Sequence, residues 1–105
     1  MKRQVVVHQR AKRDIDDALA FYDREAPHVT HALIDALERA VASIRRTPGA
    51  ASPRWAHELD WPGLRSLALE EFPWSVFFLE QPKHLAIIRV LHHSRDLATL
   101  LAAEQ

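Results

Sequence analysis

The chain has 105 residues, of which 48% are hydrophobic and 27% charged, with 14 Lys and Arg against 14 Asp and Glu, 2 Gly and no Cys. That length is one domain's worth (residues 1–105, with a short tail over 97–105), and the apolar content supports a buried core, which excludes disordered, collagen-like and low-complexity chains. Without Cys there is no disulfide, thiolate ligand or Cys nucleophile, and no apolar run approaches the roughly 18 residues that span a bilayer, so a cytoplasmic protein without a membrane partner is expected. The balanced charge also lacks the basic excess of tight nucleic-acid binders, so no direct nucleic-acid contact is expected.

Val5-Val6-Val7 is a β-branched run between polar residues and predicts a short strand. From Ala11 to Ala26 the apolar residues Ile15, Ala18, Leu19 and Tyr22 fall at helical spacing, with Asp14, Asp16 and Asp17 in the expected first turns and Pro27 closing the helix. The stripe Val29, Ala32, Leu33, Ala36, Leu37, Ala40, Val41 and Ile44 predicts a second helix ending at Arg45-Arg46 before Thr47-Pro48-Gly49. Residues 50–63 have no period and read as a loop with room for one helical turn.

Beyond that loop the period changes to two. Residues 65–70, 75–80 and 85–92 predict three strands whose short connectors, Phe72-Pro73 and Gln81-Pro82-Lys83, require antiparallel pairing. Asp96 is an apt N-cap for a short terminal helix over 97–103. The order β-α-α-β-β-β predicts an α+β fold of two layers, a helical hairpin on a three- to four-stranded antiparallel sheet.

The sequence holds no phosphate loop, dinucleotide fingerprint, HExxH or nucleophile elbow. His28, His31 and Asp35 lie at helical spacing, but without a third strong ligand they read as solvated, so neither metal nor cofactor is expected. His92 and Ser94 with Asp96 do not suit a triad, because neighbours on a strand point to opposite faces. Arg65 and Arg89 on strands imply one open sheet face, where they project beside Glu70 and Glu71 as solvated pairs or as a groove for acidic groups or phosphates. Trp55, Trp61 and Trp74 lie outside the periodic stripes, where an indole either anchors an interface or folds back onto the sheet. Leu97, Leu100 and Leu101 likewise dock onto the sheet or onto a partner.

Ala11-Lys12-Arg13-Asp14-Ile15, Tyr22, Arg65, the turn Phe72-Pro73-Trp74, and the ending Arg89-Val90-Leu91-His92-His93-Ser94-Arg95-Asp96 together resemble the ParE branch of the RelE/ParE toxin superfamily, over residues 4–97. The resemblance implies a small bacterial toxin of a type II toxin-antitoxin (plasmid stabilisation) module, with the same helical hairpin on a sheet. It also implies a cognate antitoxin, ParD-like, whose DNA-binding part is often ribbon-helix-helix and whose C-terminal segment wraps the toxin, with a homodimer or a heterotetramer with the antitoxin as the assemblies left open. ParE-like members poison DNA gyrase, which would make Trp74, Arg89, His92, Arg95 and Asp96 the target-binding residues. RelE-like members cut messenger RNA on the ribosome, which would make Arg65 and Arg89 a phosphate clamp and His92 or His93 the acid/base. The balanced charge and the lack of a tyrosine near the C-terminus favour the gyrase reading. A third reading is a non-toxic, antitoxin-binding co-repressor, since Trp74 stands where tyrosine is usual and no proline follows Arg95-Asp96. The antitoxin is expected in the outer groove of the two helices and along the open sheet edge.

Overall fold

The computed structural model describes residues 3–105. Strand β1 (Gln4–Val7) leads through His8 into helix α1 (Gln9–Glu25), and after a turn at Pro27–Val29 the chain returns as α2 (Thr30–Arg46). A short helix α3 (Arg54–Leu59) precedes strands β2 (Leu64–Ala68), β3 (Trp74–Glu80) and β4 (His84–His92), and helix α4 (Leu97–Ala102) ends the fold. The sheet order is β1-β4-β3-β2. β2, β3 and β4 pair antiparallel as their short connectors require, whereas β1 lies parallel to β4, with Gln4 opposite His84 and Val7 opposite Ile87. The sheet is therefore mixed rather than wholly antiparallel, because the long helical crossover returns the chain in the same direction.

Two layers become three. Ala11, Ala18, Leu33, Ala36, Ala40 and Ile44 of the helical hairpin pack with Val76, Phe78, Leu85, Ile87 and Val90 on one face of the sheet. On the opposite face, Trp55 and Leu101 cover Phe77, Ala86, Ile88 and Leu91. The expected open face does not exist, and the near-continuous apolar runs of β3 and β4 are the physical reason: strands buried on both sides lose the polar alternation. Residues 50–63 hold more order than a loop, since Trp55 is buried, Trp61 folds onto the same cluster, and Asp60 closes α3 in a left-handed conformation at φ 50°. α1 begins two residues earlier than its apolar period, at Gln9, with His8 as the junction: its amide donates to the Ile87 carbonyl and its carbonyl accepts from the Lys12 amide. Asp14 thus falls in the second turn rather than the first, away from the helix's positive end.

The register between β3 and β4 shifts between Phe77 and Phe78, leaving Ile88 as an extra residue in β4. A bulge reverses the alternation beyond it. Val90 therefore shares the hairpin face with Ile87, and Leu91 shares the opposite face with Ile88. Beyond Ile87, β1 has ended and the outer edge of β4 would be open. Asp14 of α1 fills it by accepting from the Val90 amide at 2.9 Å.

Candidate functional site

Arg89 sits at this bulge with its side chain 5% exposed. A guanidinium at that depth must be matched by carboxylates, since leaving it unpaired in a low-dielectric interior is costly. Asp14 supplies a two-pronged match, accepting from Nε at 2.7 Å and from Nη2 at 3.0 Å. Glu104, just past α4, stands 3.5 Å from Nη1, an ion pair too long for a well-formed hydrogen bond, and Arg10 lies 3.9 Å from the same carboxylate. Its hydrogen bond to Asp14, with the charges of Asp14 and Glu104, holds the Arg89 pKa above its ordinary value against the opposing effect of burial. Arg89 thus ties α1, β4 and the C-terminal segment together and is not presented to solvent.

Arg65 is directed to another part of the sheet. Its Nε donates to Glu80 at 3.0 Å and its Nη1 to the Ala51 carbonyl at 3.1 Å. Arg3 donates to the same Glu80 carboxylate at 2.7 Å. The Arg3 hydrogen bond, followed by that of Arg65, pulls the Glu80 pKa below the usual carboxylate value despite partial burial. The acid beside Arg65 is Glu80 and not Glu70, which pairs instead with Arg39 of α2 at 3.5 Å. The two strand arginines are therefore not neighbours. Arg65 is on the edge strand β2, and Arg89 binds Asp14 at the outer side of β4, two strands away.

Trp74 and His92, in contrast, are brought together. They face each other across the β3–β4 ladder, with ring centroids 5.1 Å apart at 85°. The Trp74 indole Nε1 donates to the Tyr22 hydroxyl of α1 at 3.3 Å, and Tyr22 meets Phe72 edge-on at 5.9 Å. The Ser94 amide donates to His92 Nδ1 at 3.0 Å, so a neutral ring carries its proton on Nε2. A cleft of about 340 Å³ opens over these groups, walled by Asp17, Phe21, Tyr22, Trp74, His92 and Ser94. His93 points elsewhere, its Nε2 at 2.8 Å from Ser75 Oγ.

Arg95 is exposed in the turn after His92. Asp96 caps α4, accepting from the Thr99 amide at 3.2 Å and the Thr99 hydroxyl at 2.8 Å, and these bonds lower its pKa. With His92 Nδ1 and the Asp96 oxygens so engaged, His92, Ser94 and Asp96 form no relay. His31 Nε2 stands 3.9 Å from Asp35 with its side chain 87% exposed, and among the described residues no three His, Cys, Asp or Glu side chains converge as a metal site. Sequence pattern marks Asp14 and Asp17 only as carboxylates near the start of α1, Asp14 also within the motif Ala11-Lys12-Arg13-Asp14-Ile15, and does not mark Phe21 or Glu104. Of the last two, only Phe21 carries a readable signal: an aromatic outside the apolar stripe of α1, and it is 46% exposed.

A second concavity of about 310 Å³ lies between α1 and α2, walled by Ile15, Leu19, Leu37 and Val41 over a floor of Val76 and Val90. Among the described residues no helix is long and apolar enough to cross a membrane.

The fold is shared with chains of solved toxin-antitoxin structures. The chain is similar to one described as the chromosomal ParDE TA system from P. aeruginosa, at TM-score 0.72 and 20% identity, covering 87% of this chain and 96% of that one. It is also similar to a chain of the E. coli DinJ-YafQ toxin-antitoxin complex, at TM-score 0.60 and 14% identity, covering 90% and 96%. No curated protein matches. The family model for the ParE toxin of type II toxin-antitoxin system, parDE, matches residues 5–97, and the chain belongs to that family.

Proposed function

We propose that this ParE-type toxin acts in the cytoplasm by binding and inhibiting DNA gyrase, and that a ParD-like, ribbon-helix-helix antitoxin neutralises it. The observation that carries this reading over RNA cleavage is the internal neutralisation of both strand arginines. Arg65 is held by Glu80, and Arg89 by Asp14 and Glu104. A phosphate clamp needs cations free to meet the scissile group, and these two are neither free nor adjacent. The cleft at Tyr22, Trp74 and His92 is instead aromatic and recessed, the kind of pocket in which binding interfaces place their anchors. Arg95 lies in the turn beside it and Asp96 holds that turn by capping α4. For the antitoxin, the apolar groove between α1 and α2 suits an amphipathic helix, and β1 at the sheet edge suits an added strand.

The test is induced expression in bacterial cells, with and without the antitoxin. The expected result is filamentation and a DNA-damage response with intact transcripts, weakened by Trp74→Ala and relieved by the antitoxin. Rapid translation arrest with cut transcripts, lost in Arg65→Ala or His92→Ala, would overturn the reading in favour of a ribosome-dependent nuclease. Unchanged growth with retained antitoxin binding would instead leave an inert co-repressor.

A further inference from the structure

We propose that the cleft at Phe21, Tyr22, Trp74 and His92 is a receptor for a single basic side chain, an arginine or lysine presented by a partner protein. The proposal deepens the reading of this cleft as the target-contacting surface and rests on that reading for the partner's biological identity. The negative ring faces of Trp, Tyr and Phe attract a cation placed over them. Here the rings meet nearly edge-on, Phe21 with Tyr22 at 86° and Trp74 with His92 at 85°, so they stand as walls rather than as one flat stack. The Tyr22 hydroxyl is held by the Trp74 Nε1–H, which fixes both rings.

Charge on the rim has one sign on the helix side. Asp17 lines the cleft, and it is one helical turn before Phe21, so a cation between them meets a carboxylate and a ring together. From Asp16 to Glu25, α1 carries Asp16, Asp17, Asp23 and Glu25 against Arg24 alone. All four carboxylates are exposed, and among the described residues none takes part in an ion pair. Asp17 is the charged residue on the lining, with Arg95 in the turn on the strand side, so a basic side chain entering beside α1 is favoured there over an acidic one. The same chain already stacks a guanidinium on an indole elsewhere, with Arg54 4.5 Å from the Trp55 ring centroid.

The experiment uses the full-length protein labelled with ¹⁵N at its tryptophan indoles, the Trp74 signal being assigned through Trp74→Phe. Two blocked tripeptides are titrated, glycyl-arginyl-glycine and its citrulline counterpart, which keeps the shape of arginine but not its charge. The arginine peptide is expected to shift the Trp74 indole saturably and to bind about 3- to 30-fold more tightly than the citrulline peptide. Asp17→Asn, a change at an exposed position, is expected to weaken arginine binding more than citrulline binding. Equal response to the two peptides, no saturable response, tighter binding of a glutamate peptide, or indifference to Asp17→Asn would each overturn the proposal. A protein that captures the arginine peptide yet leaves gyrase untouched would sink the gyrase reading and keep this one.

Discussion

Replacing Asp14 with Ala removes three hydrogen bonds at once, two from Arg89 and one from the Val90 amide. The Arg89 side chain is 5% exposed, so its guanidinium cannot turn to water without opening the packing of α1 on β4. Glu104 remains, but at 3.5 Å from Nη1 it is a weak substitute. Removing one partner of a buried ion pair costs about 3–5 kcal/mol, because the other charge is left uncompensated. With a urea m-value of about 1.5–2 kcal/mol/M for a domain of this size, the denaturation midpoint should fall by about 2 M. Arg89→Met should cost less, since the Asp14 carboxylate keeps the Val90 amide and lies nearer solvent, at 14% exposure. The double variant Asp14→Leu with Arg89→Met should recover much of the loss, because a well-packed apolar pair often matches a buried ion pair. Urea unfolding followed by circular dichroism measures all three. A loss under about 1 kcal/mol for Asp14→Ala, the range of a surface pair, would refute the account of this hub.

The second face of the sheet supplies a further test. Leu101 is fully buried, so Leu101→Ala should cost about 2–5 kcal/mol in a thermal or urea melt, despite lying near the C-terminus. Gly63 has φ +87°, and a Cβ there would stand 3.1 Å from the Glu80 carbonyl oxygen, so Gly63→Ala should lower stability by about 1–2 kcal/mol in the same melt. Asp96→Ala removes the side-chain bonds at the start of α4, and hydrogen exchange should report faster exchange of the Thr99 amide. Glu80 has a folded pKa below its ordinary value of 4.5, so its contribution is complete above that value and is lost as pH falls through the lower folded one. Glu80→Gln should therefore be less stable than the parent at neutral pH, with the difference shrinking in acid, as read from unfolding midpoints across pH.

Much of the fold was legible because its elements carry strong local periods. The stripe from Leu33 to Ile44 and the short aromatic and β-branched apolar runs around Phe77 and Ile87 each encode an element without help from distant residues. What escaped was non-local. The parallel placement of β1 depends on where the helical hairpin returns the chain, and nothing in Val5-Val6-Val7 encodes direction. The bulge at Ile88 is silent in a run that is apolar on both sides of the strand. The burial of Arg89 depends on Asp14, 75 positions earlier, and on Glu104 in the tail, a triple that no local spacing announces. The pairing of Trp74 with His92 follows from strand register, which the positions of Phe72-Pro73 and Gln81-Pro82-Lys83 already constrained. The place of Asp17 and Phe21 on the cleft escapes the sequence because it depends on β3 and β4 lying beside α1, although Phe21 already stands out as an aromatic off the apolar stripe.

The proposed inhibition of gyrase by this ParE-family chain can be tested in a purified system. The most direct measurement places the purified protein with DNA gyrase, ATP and relaxed plasmid, and follows supercoiling and trapped double-strand breaks on a gel, with a ribosome-programmed messenger RNA incubated in parallel. The expected result is dose-dependent loss of supercoiling, weakened in Trp74→Ala, with the messenger RNA intact. Unimpaired supercoiling together with cleaved messenger RNA would contradict it.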